Sequence, residues 1–124
     1  NYHQEAMRTQ NQVEESITML LPRLRNSRET SVVIVSLPET TPTLEAVRLQ
    51  NDLHRADIQP TWWVVNQCLF GTDTKDVVLK EKSVQEWKWM NKIKREHATK
   101  TAYIPWVAED KVGYQAWKNF ILEE

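Results

Sequence analysis

Across 124 residues, sixteen Lys and Arg face seventeen Asp and Glu, a net charge of −1 that lacks the positive footprint of a sequence-blind nucleic-acid binder. With 40% hydrophobic and 27% charged residues the composition is that of a globular chain, and no apolar run approaches the roughly 20 residues of a membrane span. A lone cysteine, Cys68, excludes an intrachain disulfide and a Cys-rich zinc site, and fits a reducing, cytoplasmic setting.

Residues 3–24 read as an amphipathic helix, with Ala6, Val13, Ile17, Leu20 and Leu24 on one face. Pro22 strains its last turn. Val32 to Leu37 is a mostly β-branched run without alternation, the pattern of a strand covered on both faces. Thr41-Pro42 fits an N-cap followed by proline at the first helical position, opening a helix that ends near Arg55 with Ala46, Leu49, Leu53 and Ala56 inward. Asp57 takes the left-handed position past its end, where glycine is usual.

Trp62 to Asn66 is a second strand, and Leu69 to Asp76 a loop carrying Gly71. Val77 to about Ala98 reads as one long helix with Val84, Trp87, Met90, Ile93 and His97 on a face. Thr101 to Pro105 is a third strand, and a last helix turns Tyr114, Trp117, Phe120 and Ile121 inward. A helix followed by three strand–helix units predicts an α/β fold, a parallel sheet layered with flanking helices. Three strands leave bare edges, so the sheet reads as part of a larger one.

Only two glycines, Gly71 and Gly113, stand where ordinary usage of about 7% gives eight or nine, so the chain holds no phosphate-cradling loop. A start at Asn1 suits a piece cut from a longer polypeptide. Ligands of open parallel sheets bind beyond the carboxyl ends of strands. Those ends carry Pro38-Glu39-Thr40-Thr41, Asn66-Gln67 and Pro105-Trp106-Val107-Ala108-Glu109.

Asn66 both donates and accepts, as an adenine edge requires, and Pro105 offers an apolar plate for a base. The competing reading is that Asn66 and Gln67 satisfy loop backbone groups. Glu39 and Glu45 suit a helix start without catalysis. His3, His54 and His97 lack metal-ligand spacing, and Cys68 reads as a small buried residue. Lys88, Lys92, Lys94, Arg95 and Lys100, interleaved with Trp87 and Trp89 and diluted by Glu81, Glu86 and Glu96, read as a solvated helix face.

The stretch Val35-Ser36-Leu37-Pro38-Glu39-Thr40-Thr41-Pro42-Thr43-Leu44-Glu45-Ala46, continuing to Leu53, resembles the arsenical pump-driving ATPases, the oxyanion-translocating subunits of arsenite efflux. Arg55 to Pro60, Trp63 to Asn66, Lys94 to Ala98 and Ile104 to Glu109 extend the resemblance in order and spacing. Tyr2-His3 resembles the stretch just after the family's switch region. The resemblance implies that residues 1–124 are the carboxyl-terminal part of a P-loop ATPase domain, with the phosphate-binding loop, the switches and the catalytic Asp upstream.

On that footing ATP and Mg²⁺ belong to the parent, and the chain alone is not catalytic. Asn66, Pro105, Val107, Ala108 and Glu109 form the adenine side of the pocket. The implied partners are the rest of the ATPase, a homodimeric or tandem second half and a membrane efflux protein; the implied location is cytoplasmic and peripheral at the membrane. Asp57 and the charged Asp110-Lys111 depart from the family's pattern. Asn66-Gln67 is also found in relatives that target tail-anchored proteins; their Cys-x-x-Cys clasp is missing, which favours the arsenical branch. Zinc-free targeting relatives exist, so part of a tail-anchored-protein targeting ATPase stays as an alternative. The alternative from another class is a stand-alone protein-binding or chaperone-like module.

Overall fold

The computed structural model describes residues 2–108 and 112–122, with side chains to residue 119. In chain order the elements are α1 (Tyr2–Arg25), β1 (Val33–Ser36), α2 (Thr40–Arg55), β2 (Trp62–Cys68) and α3 (Val77–Lys92). A π-helical turn (Ile93–His97), β3 (Thr101–Pro105) and α4 (Tyr114–Leu122) complete them. The strands form one parallel sheet in the order β1-β2-β3. Fold class and strand positions therefore agree with the sequence pattern.

Successive parallel strands added in one direction, with crossovers of one hand, place both connecting helices on the same face. Ile34, Trp63, Val65 and Cys68 accordingly form one core cluster with Ala46 of α2, Met90 of α3 and Ile93. The opposite face is open at Val33, Val35 and Trp62, with Val35 63% exposed. The expected cover on both faces of β1 thus holds on one face among the described residues.

Helix faces depart further from expectation. α1 has no buried residue, and Val13, Ile17 and Leu20 are exposed; of the expected stripe only Leu24 is half-buried. Its carboxyl end is tied down by Arg25, whose Nε donates to the Ala56 carbonyl at 2.7 Å. Pro22 lies inside this helix without ending it.

α2 begins two residues earlier than expected. Glu39, not Thr41, is the N-cap, and its carbonyl accepts the first helical bond from Thr43 N. Pro42 is then the third helical residue, still in the first turn where N–H groups have no helical partner. The buried stripe is Thr43, Ala46 and Gln50 with Val47 and Leu53 against the core, and Leu49 is exposed. Thr43 Oγ1 donates to the Leu37 carbonyl and Gln50 Nε2 to the His97 carbonyl, so both polar side chains are satisfied.

On α3 the buried positions are Glu86 and Met90, continued by Ile93; Val84 and Trp87 are exposed, contrary to expectation. The helix does not run unbroken to Ala98. Ile93–His97 widens into a π turn closed by Ala98 N on the Ile93 carbonyl. His97 stacks on Trp63 at 6.1 Å between ring centroids. On α4, Tyr114 and Trp117 are exposed, not inward, while the side chains of Phe120 and Ile121 lie outside the described residues.

Asp57 does adopt the left-handed conformation, with φ of 61°. Ile58 N bonds the Leu53 carbonyl at 2.8 Å and Asp57 N the His54 carbonyl at 3.0 Å, the paired bonds of a Schellman motif. Glycine relieves the Cβ strain at such a position but adds freedom to the unfolded chain. Asp57→Gly should therefore raise stability by only about 0.5–1 kcal/mol. A urea midpoint that falls would refute this.

Candidate functional site

The carboxyl ends of the three strands gather most of the residues singled out from sequence. β1 ends in a turn where Leu37 O accepts from both Ser36 Oγ and Thr43 Oγ1. β2 ends in an irregularity: pairing with β3 runs through Val65↔Tyr103, then resumes at Cys68↔Pro105. Asn66 and Gln67 are the residues of this bulge, and Gln67 has φ of 55°, rare for a non-glycine residue. The bulge keeps Val65 and Cys68 both buried and swings Gln67 out to solvent.

The side chain of Asn66 satisfies a loop backbone group, the competing reading, through one of its two polar atoms. Its Oδ1 accepts from Gln67 N at 2.9 Å, a local bond that supports the left-handed turn. Its Nδ2 has no partner among the described residues and remains a donor at the strand end. Trp106 N donates to the Cys68 carbonyl at 2.9 Å, bringing the Pro105–Ala108 segment alongside the bulge.

Pro105 and Val107 are half-buried and Ala108 is exposed; Glu109 lies outside the described residues. Asn66 also lines an open cleft of about 360 Å³ with Val35, Ser36, Leu37, Pro42, Glu45, Ala46 and Leu49. That cleft lies toward β1 and α2 and is not lined by Pro105, Val107 or Ala108. The strand ends thus bring Asn66 and Pro105 onto neighbouring strands without enclosing them in that one cavity.

The remaining candidates resolve into structural roles. Glu45 pairs with Arg48 at 2.6 Å and Glu39 with Lys82 at 3.5 Å, all on exposed side chains. No group of three or more His, Cys, Asp or Glu is placed to hold a metal ion among the described residues. Cys68 is buried, its thiol donates to the Val65 carbonyl, and burial pushes its pKa from 9.0 up to about 11. Of the basic stretch, Lys92 lies over the Trp89 ring and Lys100 over Trp62.

Glu86 was misplaced by the sequence pattern, which grouped it with the charges of a solvated face. It is 2% exposed, and its Oε2 accepts from Leu69 N at 2.7 Å and from Phe70 N at 3.1 Å. The available signal was its place four residues before Met90 and seven before Ile93, on the buried stripe.

A family model described as anion-transporting ATPase matches residues 1–122. Two Escherichia coli proteins, each named arsenical pump-driving ATPase, are 36% identical over 118 residues and 33% identical over 121. The alignments cover 95% and 98% of this chain but 20% and 21% of those proteins. A protein of the same name from Acidiphilium multivorum (strain DSM 11245 / JCM 8867 / NBRC 100883 / AIU 301) is 35% identical over 120 residues, 97% of this chain and 20% of its own. The chain spans about a fifth of the length of these curated relatives. A match over 122 residues, carried on a parallel α/β sheet, places the chain in the anion-transporting ATPase family.

Proposed function

We propose that this chain is the carboxyl-terminal part of an ATP-hydrolysing domain that drives arsenite or antimonite efflux, and that it supplies the adenine side of the nucleotide pocket. The observation behind this reading is the juxtaposition at the strand ends. Asn66, with Nδ2 unpaired among the described residues, stands on the strand next to Pro105, and one backbone bond joins the two exits. An amide that donates to N7 and accepts from N6 distinguishes adenine from guanine, and a proline ring beside it packs on the base. Val107, Ala108 and Glu109 follow in the same segment.

Phosphates and Mg²⁺ would be held by the parts of the ATPase outside this chain, since phosphoryl transfer relies on a phosphate-cradling loop and acidic switch residues. The two glycines here make no such loop. The chain alone should therefore release no phosphate from ATP. The working protein would join the rest of the domain, a second ATPase half and a membrane efflux protein, at the cytoplasmic surface. No described helix is itself long and apolar enough to cross a membrane.

The test is base discrimination in the complete protein. Asn66→Ala should weaken ATP binding and cut the preference for ATP over GTP by about tenfold, the worth of one bidentate contact. Binding of both nucleotides by calorimetry reads it. An unchanged ratio removes Asn66 from the pocket, and a complete protein indifferent to nucleotide favours the protein-binding module instead.

A further inference from the structure

Among the described residues Glu86 is the one acidic side chain that is buried. A carboxylate withdrawn from water must be compensated by donors. Its partners among the described residues are two consecutive backbone N–H groups, Leu69 at 2.7 Å and Phe70 at 3.1 Å, both on Oε2. No ion pair among the described residues includes it. A carboxylate is suited to this position because it only accepts, whereas an amide there brings two donors of its own to satisfy.

These bonds fix the chain at the point where β2 ends. Immediately before Leu69 lie the Cys68 carbonyl, which receives Trp106 N, and the bulge of Asn66 and Gln67. Immediately after it the turn closes on itself, Thr72 N donating to the Leu69 carbonyl at 3.0 Å. One side chain on α3 therefore holds the exit of β2, and the exit of β2 holds the segment that follows β3.

We infer that Glu86 is a positioning residue for base recognition. By anchoring Leu69 and Phe70 it sets the Asn66–Gln67 bulge and the Pro105–Ala108 segment at the separation a purine requires, without touching the nucleotide. The inference rests on the adenine reading above, and its test separates the two.

In the complete protein, Glu86→Met keeps the volume and loses the acceptor, and Glu86→Gln keeps the shape and an uncharged acceptor. Equilibrium binding of MgATP and MgGTP, with KM and kcat for each, is measured beside Asn66→Ala at a temperature where all variants are folded by circular dichroism. Glu86→Met should lose about tenfold in the preference for ATP over GTP, with KM for ATP rising more than kcat falls, and Glu86→Gln should lie between it and the parent. A role confined to folding lowers the melting temperature and leaves the ratio in folded molecules unchanged.

A ratio lost in Asn66→Ala but kept in Glu86→Met overturns the proposal and leaves the adenine reading standing. A ratio kept in both overturns the adenine reading and the proposal with it. If Glu86→Met does not fold, Glu86→Gln decides: a ratio shifted toward GTP supports the proposal, and an unchanged ratio overturns it.

Discussion

Trp63→Ala should destabilise the fold by about 3–5 kcal/mol, the range for truncating a large buried aromatic. Trp63 lies on the central strand, paired with Ile34 on one side and Thr101 on the other, and its backbone N donates to the Lys100 carbonyl at 2.9 Å. Its side chain, 1% exposed, belongs to the cluster joining β1, β2, α2 and α3 and stacks on His97. The whole stability of a small domain is only about 5–15 kcal/mol, so this one truncation removes a large share of it.

Trp63→Phe makes the sharper comparison. Nε1 of Trp63 is buried with no hydrogen-bond partner among the described residues, a penalty of about 1–3 kcal/mol that the phenyl ring does not carry. Relief of that penalty offsets much of the area lost, and the net cost should stay under about 2 kcal/mol. Urea titrations followed by circular dichroism measure both variants. Equal losses for Ala and Phe would mean that Nε1 is satisfied in solution.

The same residues show where sequence was informative. Strands declared themselves through β-branched and aromatic runs that end at polar or proline-bearing segments, and the Pro105 and Asn66 positions followed from the rule that parallel strands present their carboxyl ends to ligands. Asp57 was legible because it follows the last helical residue at the position that demands positive φ. The helix faces were not legible in the same way. Apolar counting passes over Thr43, Gln50 and Glu86, yet all three are buried, each with its hydrogen bond supplied by a distant backbone group. Such partners lie 6, 47 and 17 residues away in sequence, beyond any local period.

Two surfaces kept their apolar pattern without cover among the described residues. The stripe of α1 is exposed at Val13, Ile17 and Leu20, and the open sheet face at Val33, Val35 and Trp62. Periodicity states which face of an element is apolar and leaves its partner unnamed. The bulge at Gln67 was also beyond reach, because glutamine carries no compositional sign of a left-handed residue and its turn depends on Asn66 Oδ1 beside it.

Cys68 should make the fold sensitive to alkali. Its thiol is held protonated to about 11 in the folded chain, against 9.0 when exposed. Burial is the larger cause and the Glu86 carboxylate the second, with a backbone hydrogen bond to Ile104 pulling weakly the other way. The unfolded chain thus releases this proton first as pH rises, and between pH 9 and about 11 it binds fewer protons than the folded one.

Stability contributed by the protonated thiol is therefore complete below pH 9 and falls above it by up to about 1.4 kcal/mol per pH unit. The quantity to measure is the difference between the parent and Cys68→Ala in urea titrations at several pH values, which isolates the thiol. That difference should grow with pH in favour of Cys68→Ala, and parallel curves would mean that the thiol ionises as freely in the fold as outside it. Glu86→Gln should narrow the window, because removing the neighbouring charge leaves burial as the only force holding the proton on sulfur. A window that stays as wide without the charge would assign the whole effect to burial, and Glu86 would act on β2 through its hydrogen bonds alone.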